Sequence, residues 1–141
     1  MPVHRIRDEE FSEWVRMRVV LWPGSDDDAS EWLQRSDTAT FLATDDSGAY
    51  IGFAEAGERP YADGCDSSPV AFLEGWYVEP QHRNQHVGAE LVQAVEAWAR
   101  ARDLTELASD ALLDNDAGLQ AHLHIGFEEV ERSIKLRKPL F

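Results

Sequence analysis

The chain has 141 residues, 43% of them hydrophobic, which is the size and composition of one globular domain with its own core. Its formal net charge of −14 argues against nucleic acid and anionic membranes as partners. It suits a cationic partner, or it serves solubility alone. One cysteine, Cys65, cannot form an internal disulfide, and no Cys/His metal spacing or membrane-length apolar run is present. We therefore expect a cytoplasmic, metal-free protein in a single domain, residues 1–141.

The N-terminal part is predicted to form a strand, two helices and a hairpin. The first helix breaks at Trp22-Pro23-Gly24, and Ser25-Asp26-Asp27-Asp28 offers caps for the second. The turn sequence Asp45-Asp46-Ser47-Gly48 separates two apolar runs, which predicts an antiparallel hairpin. The predicted bounds are a strand at 2–7, a helix at 9–21, a short helix through 29–33, and strands at 40–44 and 49–56.

A long loop at 58–69 then leads to a central strand at 72–78. The loop is rich in Gly, Pro, Asp and Ser and carries Tyr61, and long loops held by a scaffold are often functional. The strand is dense in aromatic and β-branched residues and ends before Pro80. These features predict a buried strand beside an exposed, functional loop.

A helix is predicted from Val87 onward because Val87, Leu91, Val95 and Trp98 recur at helical spacing. The loop before it leads into a helix N-terminus, where backbone N–H groups and the dipole favour a phosphate. A further strand is predicted at 105–109, ending at Asp110. Next come a helix to about residue 125 and last strands at 127–131 and 133–138. The order predicts an α/β fold with a mixed sheet.

The sequence Arg83-Asn84-Gln85-His86-Val87-Gly88 resembles the acyl-CoA motif R/Q-x-x-G-x-G/A of the GNAT acetyltransferase superfamily, with His86 in place of the central glycine. The resemblance covers nearly the whole chain and implies a GNAT fold, a central mixed β-sheet flanked by helices whose splayed central strands bind acyl-CoA. It narrows to the aminoglycoside 6′-N-acetyltransferases. The stretches that carry it are Leu21-Trp22-Pro23-Gly24, Gly64-Cys65-Asp66-Ser67-Ser68-Pro69, Phe72-Leu73-Glu74-Gly75, Ala108-Ser109-Asp110 and Gly126-Phe127-Glu128-Glu129.

This resemblance implies a site that binds a polycationic amine. Glu74 would be the base, acting through water, or an anchor for the amine, and Asp110 would supply a second carboxylate. Trp22 and Tyr61 would flank the sugar, and Glu131 would add a further carboxylate. Structural alternatives stay open: Glu74 as a surface carboxylate, Trp22 as core, and Glu131 serving a partner subunit.

The cosubstrate implied by the resemblance is acetyl-CoA, without a metal. Backbone amides of the central strand would pair with pantetheine, those of the following loop would hold the pyrophosphate, and Asn115, which caps the last helix, would contact the pantetheine arm. His122 would protonate the departing thiolate, or would only form local hydrogen bonds. The implied cosubstrate-binding residues are Trp76, Tyr77, Val78, Arg83, Asn84, Gln85, His86, Val87, Gly88 and Asn115.

The implied reaction is direct transfer of acetyl to the 6′-amine of an aminoglycoside, since no residue offers a convincing nucleophile. Such an enzyme would confer antibiotic resistance, and the family resemblance also implies a homodimer. Two alternatives remain at this point. The first is a GNAT enzyme for another cationic amine, such as a polyamine or amino sugar. The second is a non-catalytic acyl-CoA-binding module, motivated by His86 in the phosphate loop.

Overall fold

The computed structural model describes residues 2–141, and its elements follow the predicted order through the last helix. The described chain forms two compact units, one ending at Asp110 and one spanning Ala111–Phe141. The elements are β1 Val3–Arg5, α1 Phe11–Leu21, α2 Ala29–Gln34, β2 Thr38–Thr44, β3 Tyr50–Arg59, β4 Val70–Val78, α3 Val87–Ala101, β5 Leu107–Ser109 and α4 Asp116–His124. Single 3₁₀ turns lie at Asp8–Glu10, Ser25–Asp28 and Pro80–His82.

The sheet of the first unit has five strands in the order β1-β2-β3-β4-β5. Pairing is antiparallel from β1 to β4 and parallel between β4 and β5. A parallel neighbour requires a crossover, and α3 supplies it between β4 and β5. The predicted mixed α/β sheet is confirmed.

The core forms where α1 and α3 lay their apolar faces on the sheet. Trp14 and Met17 of α1 are fully buried together with Phe53 of β3. In α3, Val87, Leu91 and Val95 are buried as their helical spacing predicts. This packing fixes the middle of the sheet, where β3 and β4 pair over most of their length.

The prediction of two final strands, at 127–131 and 133–138, is wrong for the described chain. Residues 127–141 contain no helix or strand, although the sequence alternates in the way that favours a strand. Apolar side chains there are exposed, with Ile134 78% and Leu136 90% accessible. A strand needs a neighbouring edge to pair its backbone groups, and period-two alternation alone does not supply one.

The aspartates before α2 also behave differently from the expected helix caps. Asp28 occupies the N-cap position, but its side chain makes no capping hydrogen bond. Its Oδ1 instead accepts from Nη1 of the buried Arg18 at 2.7 Å. A charge-assisted bond to a guanidinium is stronger than a bond to a backbone amide, so Asp28 closes an ion-pair network.

Candidate functional site

Glu74 lies in a β-bulge of β4. The strand register passes from Leu73 opposite Ala56 to Gly75 opposite Glu55, so Glu74 is an extra residue with no partner on β3. A bulge re-aims the side chain it carries and is common beside active sites. The residue singled out as a candidate base therefore sits at the irregular point of the central strand.

The Glu74 carboxylate is paired with Arg59, the last residue of β3. Arg59 Nε donates to Oε2 at 2.8 Å and Nη2 to Oε1 at 2.7 Å. The guanidinium carbon lies 3.5 Å from the centre of the buried Phe72 ring. The hydrogen bonds that Arg59 donates to Glu74, and also the charge of Asp110, raise the pKa of Arg59. The structure thus brings Glu74 and Asp110 into the electrostatic range of one cation.

Trp22, which follows α1, packs its ring on the backbone of Gly75. A Cβ added at Gly75 would lie 2.5 Å from Trp22 Cη2. Arg18 also lies by this ring, with its guanidinium carbon 5.3 Å from the ring centre of Trp22. Trp22 is partly exposed. It is therefore neither a fully buried core residue nor a fully exposed surface residue.

We expect Gly75→Ala to displace the Trp22 ring, because the new methyl group would overlap it. Overpacking of this kind costs about 1–3 kcal/mol of stability. If Trp22 contacts the substrate, kcat/KM for the amine should fall about tenfold, which corresponds to 1.4 kcal/mol of lost binding. Urea unfolding and steady-state kinetics measure the two effects.

The matched control is Gly57→Ala on β3, where the new Cβ would make ordinary contact at 3.4 Å with Trp32 Cη2. This variant should keep normal kinetics. If kcat/KM is unchanged for Gly75→Ala too, Trp22 does not belong to the substrate site.

The loop that carries Tyr61 is held by Glu106 and leaves Tyr61 67% exposed. Glu106 Oε1 accepts from the Ser67 amide at 2.7 Å and from the Ser67 hydroxyl at 2.6 Å. Burial, and then the neighbouring Glu106 carboxylate, raise the pKa of the Cys65 thiol. Cys65 therefore stays a thiol, which makes it a poor nucleophile.

The edge of β4 that faces β5 is the structural feature suited to an extended ligand. Pairing with β5 ends at Leu73–Ser109, whereas β4 continues to Val78. On its other side, residues Trp76, Tyr77 and Val78 pair with β3 opposite Ala54, Phe53 and Gly52. β4 thus extends past the end of β5 at Trp76–Val78, where the family resemblance implies amide contacts with pantetheine, and an extended ligand could lie along this edge.

The loop between β4 and α3 contains two non-glycine residues with positive φ. Asn84 and His86 both have positive φ, 64° and 67°. Arg83 Nε donates to Val78 O at 2.9 Å, which ties the loop to the end of β4. Residues with positive φ let successive backbone amides turn toward one point, which is a feature of phosphate-binding nests. Because His86 adopts the conformation that favours glycine, its replacement of the motif glycine leaves this geometry intact.

Gly88 shows why the last motif residue is small. The Trp76 ring lies against it, with Cζ2 3.0 Å from the position of an added Cβ. Trp76 Nε1 also donates to Gly88 O at 3.0 Å. This contact locks the first turn of α3 to β4. The remaining loop residue, Gln85, is exposed, and Val87 is buried.

We expect His86→Gly to stabilise the fold and to leave coenzyme A affinity unchanged or tighter. A non-glycine residue in the left-handed region costs about 1–2 kcal/mol, part of which glycine returns as unfolded-state entropy. Urea unfolding and calorimetric titration with coenzyme A measure both quantities.

Gln85→Gly is the matched control, since position 85 lacks a positive φ and should lose stability. A large loss of coenzyme A affinity in His86→Gly alone would mean that the imidazole contacts the ligand.

The remaining predicted site residues lie in the second unit. Asn115 caps α4, its Oδ1 accepting from the Gly118 amide at 2.9 Å, as predicted. His122 Nδ1 lies 2.6 Å from Gly118 O, and the His122 ring packs edge-on against Phe127. A carbonyl only accepts, so Nδ1 carries a proton. Glu131 is exposed in the C-terminal segment.

Two groups at this site were not found by sequence reasoning, Arg59 and the buried pair of Arg18 with Glu55. Arg18 and Glu55 are 4% and 0% exposed, with Arg18 Nε 2.6 Å from Glu55 Oε1. A signal was present for the pair, since Arg18 lies on the apolar face of α1 and Glu55 interrupts an apolar strand. Nothing in the sequence pattern distinguished Arg59 from other surface arginines.

Two kinds of feature are absent from residues 2–141, the part of the chain that the structure describes. No helix there has the length and apolar character needed to cross a membrane. Within the same residues, His, Cys, Asp and Glu form no group of three or more that could hold a metal ion.

Comparison with known proteins gives consistent matches. Residues 3–127 match the family model described as the acetyltransferase (GNAT) family. Aminoglycoside N(6′)-acetyltransferase type 1 of Klebsiella aerogenes is 43% identical, covering 98% of this chain and 96% of that protein. The protein of the same name from Stenotrophomonas maltophilia is 44% identical over 93% of this chain and 88% of its own length. The structure of AAC(6′)-Iy with the bisubstrate analog CoA-S-monomethyl-acetylneamine aligns with a TM-score of 0.91 at 39% identity, covering 99% and 98% of the two chains.

Proposed function

The chain belongs to the GNAT family of acetyltransferases, and from that premise we propose that it is an aminoglycoside 6′-N-acetyltransferase. It transfers acetyl from acetyl-CoA to the 6′-amine of the antibiotic, which gives resistance. The observation that carries this proposal is the bulge at Glu74, which places this carboxylate-bearing residue on β4 directly after the last residue that pairs with β5. A cationic amine and an extended thioester would meet there.

The substrate amine is protonated at neutral pH and must lose a proton before it attacks. We assign Glu74 as the base that removes it through water, with Asp110 as the second carboxylate that holds the ring. Trp22 would contribute its exposed face and Tyr61 would cover the sugar from the loop. The support is the position of Trp22 against Gly75 and the shared influence of Glu74 and Asp110 on one guanidinium.

Acetyl-CoA supplies an activated acyl group, and the residues present fit its shape. The amides along Trp76–Val78 would orient the pantetheine and the thioester carbonyl, and the loop Arg83–Gly88 would hold the pyrophosphate. In the second unit, the proposed roles are an amide contact from Asn115 and proton donation by His122. Since Nδ1 of His122 is bonded to Gly118 O, an acid role would have to use Nε2 of the imidazolium form.

Thiol release with a panel of amines tests the proposed function. With acetyl-CoA present, kanamycin should give a kcat/KM orders of magnitude above that of spermidine or glucosamine. If a polyamine is the preferred substrate, the aminoglycoside assignment would be rejected, although the protein would still be an acetyltransferase. Binding of both ligands without release of thiol would favour a non-catalytic module.

We further propose that residues 1–141 act as one acetyltransferase domain, located in the cytoplasm where acetyl-CoA is made, and that the protein is a homodimer. The family match runs continuously over residues 3–127, which supports the single domain. The C-terminal segment supports the dimer, because it exposes Ile134 and Leu136 at alternate positions. An extended chain with one apolar side is suited to pairing with a second copy.

If that segment forms the dimer contact, the double variant Ile134→Asp with Leu136→Asp should be monomeric. Charges placed on the apolar side would oppose its burial. Sedimentation equilibrium should give about twice the chain mass of 15.9 kDa for the native protein and a single chain mass for the variant.

Lys135→Asp is the control, because it adds a charge on the other side of the same segment and should leave the dimer intact. A native protein that sediments as a monomer would contradict the homodimer proposal.

A further inference from the structure

Arg59 places a guanidinium where the proposed function requires the substrate's ammonium. Each oxygen of the Glu74 carboxylate accepts a hydrogen bond from Arg59, at 2.8 and 2.7 Å. The charged group also stacks on Phe72, with its carbon 3.5 Å from the ring centre. A carboxylate beside an aromatic face is the environment that an amino sugar would need.

The second carboxylate of the proposed site acts on Arg59 as well. The charge of Asp110 adds to the effect of Glu74 in raising the pKa of Arg59. The guanidinium therefore neutralises part of the field of both carboxylates. A substrate ammonium bound to Glu74 would meet this cation, and like charges at close range repel.

We propose that Arg59 is a resident counter-ion that occupies the cation subsite of Glu74 in the free enzyme and must be displaced by the substrate. This rests on the proposed function, and it makes Arg59 a residue that determines specificity. A polycation can exchange one of its ammonium groups for Arg59 while its other amines hold Asp110 and the surrounding acidic surface. A monoamine has a single ammonium group, which would only replace the charge of Arg59 beside Glu74. It therefore gains little binding free energy.

The surroundings of the pair make displacement feasible. The Arg59 side chain is 43% exposed and that of Glu74 is 24% exposed, so water can solvate both as they separate. Ion pairs that remain in contact with water are weak compared with buried ones. Phe72 stays 5% exposed and keeps its place under either cation.

The test is Arg59→Met, which keeps an unbranched stem over Phe72 and removes the charge. We expect KM for kanamycin to fall about fivefold with kcat within about twofold of the native value, because one competing charge-assisted contact is lost. For methyl 6-amino-6-deoxyglucoside, which carries one amine, kcat/KM should rise by a larger factor. Arg59→Lys retains a cation and should stay near the native KM.

Arg102→Met is the matched control. Arg102 is also a partly exposed arginine paired with a glutamate, Glu58, and stacked on an aromatic ring, Trp98. Successive strand residues point to opposite faces, so Glu58 lies on the other face of the sheet from Arg59. The control changes the net charge equally and should leave KM unchanged. Adding Glu74→Gln to Arg59→Met should abolish the gain in KM.

An unchanged or higher KM in Arg59→Met, with a native unfolding midpoint, would overturn the proposal and make Arg59 a residue that orients Glu74. If Arg59→Met fails to fold, Arg59→Gln takes its place: KM should fall in the same way, and an unchanged or higher KM would overturn the proposal. Calorimetric binding of kanamycin separates this inference from the proposed function. If kanamycin binds more tightly to Arg59→Met but the protein transfers no acetyl group, the counter-ion role of Arg59 would stand and the proposed acetyltransferase function would be rejected.

Discussion

Glu74→Gln should lower kcat/KM for kanamycin by about 10²–10⁴-fold while leaving the dissociation constant of coenzyme A unchanged, since general-base catalysis contributes rate factors of that size. Glutamine keeps the shape and the bulge position but cannot accept the proton of the amine. Asp110→Asn should reduce kcat/KM less, because in the proposed mechanism Asp110 would hold the substrate ring and would not take the proton. Stopped-time thiol assays and calorimetry measure these quantities.

The control for Glu74→Gln is Glu58→Gln, which removes a carboxylate from the same sheet and breaks an equivalent pair with Arg102. This variant should retain native kinetics. Full activity in both Glu74→Gln and Asp110→Asn would mean that the acidic site is wrongly assigned, whatever the substrate.

The second large effect is on stability, in Arg18→Met. Arg18 binds Glu55 at 2.6 Å and Asp28 at 2.7 Å. Its removal leaves the Glu55 carboxylate, 0% exposed, with Trp14 Nε1 as the bonded donor that remains, at 3.0 Å. An uncompensated buried charge costs about 3–5 kcal/mol, so the urea midpoint should fall sharply.

The double variant Arg18→Met with Glu55→Leu should recover most of that loss, because apolar replacement of a buried ion pair is often neutral. Arg16→Met is the matched control on the same helix. Arg16 pairs with Glu13 and Glu79 but is 49% exposed, so its loss should cost about 0–1 kcal/mol. Equal destabilisation by the Arg16 and Arg18 variants would refute the special role of burial.

The network of Arg18 also connects stability to the site. Its guanidinium carbon is 5.3 Å from the ring centres of both Trp14 and Trp22, and the Trp22 ring packs against Gly75, the residue after Glu74. The same buried charge therefore stabilises α1 on the sheet and fixes the face of Trp22. We expect mutations in this network to change both the unfolding free energy and the KM of the substrate.

Much of the sheet was predictable because local patterns and long-range packing agree. The helical spacing of Val87, Leu91 and Val95 matched the buried face of α3, and Asn115 capped α4 as expected. The prediction of the final strands was wrong because alternation of apolar and polar residues indicates which face of a strand is buried. It does not indicate a neighbouring strand edge with which the backbone can pair. Asp28 failed as a cap because a buried arginine, distant in sequence, competed for its carboxylate.

Family motifs mark single positions of the candidate site. They drew attention to Glu74 and to the loop at His86, where the structure shows a bulge and a positive φ; the roles of these residues stay predictions. The contact of Arg59 with Glu74 could not be predicted, because it depends on the pairing of β3 with β4, which no local sequence pattern encodes. Ion pairs across strands are set by register, and the register became visible only in the structure.

The most direct test of the central claim is to locate the transferred group on the product. The protein should be incubated with acetyl-CoA and kanamycin, and the product analysed by two-dimensional NMR. We expect one acetyl group, on the 6′-nitrogen. An acetyl group on another nitrogen, or unmodified kanamycin, would contradict it.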